Sequence, residues 1–192
     1  MWVFFATSLQ SASRSLLENA NLIRKVRFPR QLVPLSMVAT QLVGFAVMLA
    51  IVLVLSLVYM PDARDTAWLA IPVAAVFVCF VAGFSLAIAS LNAIYRDVEH
   101  LVAALLLPWF FLTPVLYSLE SIPGVQDHPR LVDLIHWGNP LTPAVEAVRD
   151  PLYYGVAPAA GDVVYVIVAA AASLAIGALV FTRVDDRVAV EV

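Results

Sequence analysis

The chain has 192 residues, 62% of them hydrophobic and only 13% charged, with a mean hydropathy of +0.92. A soluble domain of this length cannot hide so much apolar surface, so the solvent is largely lipid, and the formal net charge of −3 matters less than where the charges sit. The single cysteine, Cys79, lies in an apolar run and reads as a small hydrophobe, which excludes an intrachain disulfide and a cysteine-based metal site.

Residues 1–17 begin apolar and turn polar through Ser8, Gln10, Ser11, Ser13 and Arg14. That is too short and too polar to span alone, because a crossing helix needs roughly 20 apolar residues. The stretch reads as the inner half of a membrane helix. Met1 to Phe5 shows no basic n-region, and no small-residue cleavage site follows, so a signal peptide is not expected.

Residues 18–30 hold Arg24, Lys25, Arg27 and Arg30, four of the eleven basic residues, between two apolar regions. Leu22 and Val26 share one helix face at i, i+4 while Arg24, Lys25 and Arg27 point elsewhere. Pro29 and Pro34 are expected to break or redirect this short helix before the next apolar segment. From charge alone, the run is a loop held on the cytoplasmic side and touching anionic lipid. The ordered string Asn19-Ala20-Asn21-Leu22-Ile23-Arg24-Lys25-Val26-Arg27-Phe28-Pro29-Arg30 adds more. It resembles the cytoplasmic loop of ATP-binding-cassette exporter membrane subunits, in the subgroup that exports O-antigen, teichoic acid and capsular polysaccharide. The resemblance implies that Asn21 to Arg30 is a coupling helix that docks on a separate ATPase subunit. It also implies an amphipathic helix and a first membrane helix ahead of Trp2, so a late start or a truncated chain is expected.

Residues 35–60 and 67–94 carry no Asp, Glu, Lys or Arg and read as two spans joined by the polar turn Met60-Pro61-Asp62-Ala63-Arg64-Asp65. The next turn, Tyr95-Arg96-Asp97-Val98-Glu99-His100, places Arg96 beside Asp97 and Glu99, which neutralises it at the inner face. A third span is expected over 101–118. The run from Tyr95 through Pro108-Trp109 to Leu112-Thr113-Pro114-Val115-Leu116-Tyr117 is similar to the family's fourth-to-fifth helix connection. That similarity implies a turn facing the ATPase, and Trp109, Phe110, Phe111 and Tyr117 bordering a translocation path. An aromatic belt or simple packing is the competing reading of those four.

Residues 120–160 are mixed and proline-rich, with short amphipathic helices expected over 131–137 and 141–154 at the outer interface. Asn139-Pro140-Leu141-Thr142-Pro143 followed by Glu146 and Arg149 is similar to the segment that builds the family's outer gate. Glu146 and Arg149 stand at i, i+3 and can pair on one helix face. Residues 163–182 form the last span, where Ala169, Ser173 and Gly177 offer a small-residue stripe. Basic residues number eight on the expected inner side (Arg14, Arg24, Lys25, Arg27, Arg30, Arg96, Arg183, Arg187) and three on the outer (Arg64, Arg130, Arg149), as the positive-inside rule requires.

Enzyme signals fail. There is no Gly-x-x-x-x-Gly-Lys phosphate loop. Gly83-Phe84-Ser85-Leu86-Ala87 lacks the second glycine of a nucleophile elbow. His100, His128 and His136 show no ligand spacing and are expected to be solvated or interfacial, so no metal and no cofactor is expected.

The reading is an all-α, polytopic protein of the cytoplasmic (inner) membrane. It is a single permease domain over 1–192, a helical bundle with short outer interfacial or re-entrant helices before the last span. The resemblance implies a homodimer moving a lipid-linked polysaccharide, surrounded by membrane lipid and powered by a separate ATPase subunit, with no nucleic-acid partner. A permease for a small amphipathic drug or lipid, a non-transporting membrane scaffold and an intramembrane enzyme are the alternatives.

Overall fold

The computed structural model describes residues 1–25, 28–117 and 129–191, and every regular element among them is a helix. These are α1 (Trp2–Glu18), α2 (Ala20–Lys25), α3 (Leu32–Tyr59), α4 (Ala70–Ile94), α5 (Val98–Leu112), α6 (Pro129–Gly138), α7 (Leu141–Arg149) and α8 (Ala160–Glu191). Among the described residues, three stretches are long and apolar enough to cross a membrane: Leu32–Tyr59, Ala67–Ile94 and Ala160–Arg183. The expected spans 35–60, 67–94 and 163–182 overlap these stretches.

The span expected over 101–118 meets a shorter helix. α5 has 15 residues, about 22 Å at 1.5 Å per residue, against a hydrocarbon core of roughly 30 Å. Its end has a local cause. Thr113 precedes Pro114, and proline disfavours the helical region for its predecessor; Thr113 sits at φ −90°, ψ 127°. Pro34 shows the opposite outcome. It was expected to redirect the chain, yet it lies buried in the first turn of α3, where a missing N–H costs no intrahelical bond.

α1 is the packed centre of the bundle. Phe5, Leu9, Ala12 and Leu16 are essentially inaccessible, and Phe5 meets Phe80, Phe84 and Trp109 at ring-centroid distances of 6.3, 6.1 and 5.3 Å. Two of its buried serines are satisfied within the helix, because Ser13 and Ser15 donate to the Gln10 and Ala12 carbonyls, whereas the buried Ser8 hydroxyl has no such partner. α3 and α8 instead present long apolar faces outward, with Val47, Val54, Ile167 and Ile176 among their exposed residues.

α4 and α8 run parallel and form the most extensive helix pair among the described residues. A Cβ on Gly83 would collide with the Ser173 carbonyl and the Leu174 amide, and one on Gly177 with the Gly83 carbonyl. The backbones therefore touch, and Ser173 Oγ donates to the Phe80 carbonyl at 2.7 Å. Helix pairs in lipid gain no hydrophobic drive against apolar tails, so close van der Waals contact and interhelical hydrogen bonds hold them. The stripe of Ala169, Ser173 and Gly177 is a packing surface, and Gly83 is its counterpart.

Candidate functional site

Two ends of the bundle gather the polar chemistry. At the first, α1 stops at Asn19, whose side chain donates to the Ser15 carbonyl at 2.8 Å, while its own carbonyl accepts from the Leu22 and Ile23 amides. Asn19 thereby ends one helix and starts the next. In α2, Ile23 is buried in a cluster with Leu16, Val33, Leu86, Ala89, Ala93 and Phe181, and Ala20 and Phe28 pack against that cluster. Asn21, Leu22, Lys25 and Pro29 face outward, and Arg30 is half-buried. Val26, Arg27 and the Arg24 side chain lie outside the described residues. The result is a short helix pinned by one side chain and exposed on the other face.

Next to it, Asn92 is fully buried and ties three helices together. Its amide nitrogen donates to the Ser13 carbonyl of α1 at 2.9 Å, and its oxygen accepts from the Glu99 amide at the start of α5 at 2.8 Å. Sequence reading passed over it, because a lone asparagine near a span's end carries no signal of its partners. The Glu99 carboxylate meets Arg14 of α1 at 3.4 Å, so that turn is neutralised across helices, with Arg96 and Asp97 exposed.

At the opposite end, α6 and α7 fold back on the bundle. Asn139, between them, is the organising residue: its oxygen accepts from the Trp109 indole at 2.9 Å and from the Leu141 amide at 3.2 Å. Its nitrogen donates to Thr113 Oγ1 at 2.8 Å. Thr142 and Pro143 are buried in the first turn of α7, and Pro140 is half-buried. Glu146 and Arg149 make the i, i+3 pair at 3.5 Å. Arg149 also donates to the Pro114 and Tyr117 carbonyls, at 3.4 and 3.2 Å, so it holds the chain beyond α5 as well.

The four aromatics proposed to border a path do not converge. Trp109 packs on Phe5 and Phe84 and is committed to Asn139. Phe110 meets Trp2 at 5.3 Å, whereas Phe111 is 66% exposed. Tyr117 donates its hydroxyl to the Phe111 carbonyl at 2.9 Å. A cavity of about 520 Å³ lies beside them, lined by Met1, Trp2, Tyr59, Val148, Arg149 and Leu152 among others, almost wholly apolar around one guanidinium.

Of the solvated and interfacial places expected for His136, the solvated one does not hold, since the side chain is only 16% exposed. Its ring lies between two carboxylates, with Nδ1 3.1 Å from Glu146 of α7 and Nε2 2.8 Å from Asp162 of α8. Burial pushes the Glu146 carboxyl above its ordinary range, and His136 and Arg149 partly offset that. Residues 10 and 26 positions away complete this group, so no local spacing could reveal it. Ser85 is fully buried within α4, and its hydroxyl has no hydrogen-bond partner. Expectations on residues 120–128, His128 included, lie outside the described residues.

The family model described as "ABC-2 type transporter" matches residues 1–153. An O-antigen export system permease protein from Myxococcus xanthus is 36% identical over 121 residues, covering 63% of this chain and 46% of that one. Two proteins of the same name from Klebsiella pneumoniae are 34% and 33% identical over 124 residues, covering 64% of this chain and 48% of theirs. The chain thus spans about half the length of the curated relatives it matches.

Proposed function

The chain belongs to the ABC-2 type transporter family, and from that premise we propose that it is the membrane subunit of an ATP-driven exporter of lipid-linked polysaccharide. It is a multi-pass protein of the inner membrane, in which two copies line a path and two separate ATPase subunits supply the power. The names of the relatives, O-antigen export permeases, support the substrate class.

The observation that carries the reading is the construction of α2. Asn21, Leu22 and Lys25 face outward, while Ile23 reaches into a cluster shared by α1, α3, α4 and α8. A partner pressing on the exposed face pushes on four helices through one buried side chain. Binding shifts such an equilibrium only as far as the partner prefers one arrangement over the other, so the ATPase must hold α2 differently with and without ATP. On this reading Asn21 to Arg30 is the docking element, Arg96 and Asp97 face the same partner, and Asn139 to Arg149 forms the outer gate.

The test replaces Arg24, Lys25 and Arg27 together by Glu in the complete subunit. Loss of ATPase recruitment and of export, with normal membrane insertion, is expected; unchanged recruitment and export reject the docking role.

The apolar cavity with Arg149 at its wall favours a second reading, efflux of one small amphipathic molecule. Drug resistance that persists after glycan export has been abolished selects it.

A further inference from the structure

We propose that His136, Glu146 and Asp162 form a site for a first-row divalent cation that staples α6 and α7 to the start of α8. Each residue comes from a different helix, and one ligand atom from each lies within 4.8 Å of the other two. The three side chains are only 16%, 17% and 7% exposed. A neutral imidazole has one N–H and can donate to one carboxylate only. The His136 nitrogens lie 3.1 and 2.8 Å from carboxylate oxygens of Glu146 and Asp162, so one imidazole and two acidic groups share a nearly enclosed pocket whose charge a divalent ion would balance.

The spacing suits an ion: ligands at about 2.0–2.2 Å from one tetrahedral metal stand about 3.3–3.6 Å apart. One ligand atom from each of the three residues already lies within 4.8 Å of the other two, so side-chain rotation closes the set. The ring nitrogen that does not face the ion is left to make the outer hydrogen bond that orients a ligating histidine. The nearest cationic side chain does not fill the role: Arg149 reaches Glu146 only through its other oxygen at 3.5 Å, and is spent otherwise on the Pro114 and Tyr117 carbonyls. One imidazole with carboxylates selects zinc or a neighbouring transition ion over calcium and magnesium, which prefer all-oxygen sets. The inference is independent of what the chain transports.

The full chain is washed with chelator in detergent, exposed to Zn²⁺, freed of loose metal by gel filtration, and its zinc counted by mass spectrometry. One retained ion per chain is expected, lost in His136→Gln and Asp162→Asn and kept in His100→Gln. X-ray absorption of the wild-type zinc form should show a single imidazole among oxygen ligands. No zinc retained by the wild type, which leaves a proton as the cation, overturns the proposal. So does equal retention by the two variants, or a ligand shell with sulfur or several imidazoles.

Discussion

Gly83 and Gly177 face each other so closely that a Cβ on Gly177 would enter the Gly83 carbonyl. Gly83→Ala therefore forces α4 and α8 apart along their tightest contact. Overpacking of this kind costs about 1–3 kcal/mol. Thermal unfolding in detergent should show a lowered midpoint for Gly83→Ala and Gly177→Ala. Gly44 has nothing within 4 Å, so Gly44→Ala should leave the midpoint unchanged or raise it. Equal behaviour of Gly44→Ala and Gly83→Ala would show that the contact is not there.

Asn92 donates to α1 and accepts from α5 with no access to water. Asn92→Ala takes the acceptor from the Glu99 amide at the start of α5 and the second bond from the Ser13 carbonyl of α1, at about 1–3 kcal/mol for the amide left unserved. Asn92→Asp should be no better, since a carboxylate keeps the acceptor, loses the donor and adds a buried charge. Stability measured for the two variants checks the order; a neutral Asn92→Asp sinks it.

Trp109 and Asn139 should behave as one unit. Trp109→Phe keeps the packing on Phe5 and Phe84 and removes only the indole donor. A double-mutant cycle with Asn139→Ala should give a coupling of about 0.5–3 kcal/mol, the range for residues in one hydrogen-bond network. Strict additivity would place the indole elsewhere.

Phe111 is the better probe of substrate contact, because it is exposed whereas Trp109 is structural. Phe111→Ala should lower glycan export several-fold while leaving the unfolding midpoint unchanged. Export at the wild-type level with that variant removes Phe111 from the path.

Much of the architecture was readable in advance, because lipid imposes a length rule that composition obeys. The uncharged runs around Gly44 and Gly83 became α3 and α4 with their ends displaced by a few residues. The Asn-Pro-Leu-Thr-Pro segment marked the junction of α6 and α7, and Glu146 found Arg149 at the spacing that helices dictate. What stayed hidden depended on contacts distant in sequence. Asn92 bridges to Ser13, 79 positions away, and His136 is enclosed by Glu146 and Asp162 from two other helices. Aromatic identity could not say that the Trp109 ring turns onto Phe5 and Phe84. Pro34 looked like a breaker until its place in the first turn of α3 made it harmless.

The central claim is that α2 lies on the cytoplasmic side, where an ATPase can reach it. Lys25→Cys in a Cys79→Ser background, treated with a membrane-impermeant maleimide, tests this directly. The account predicts no labelling in intact cells and strong labelling once the membrane is opened. Labelling from outside intact cells would turn the protein over and leave the exposed face of α2 with no motor to meet.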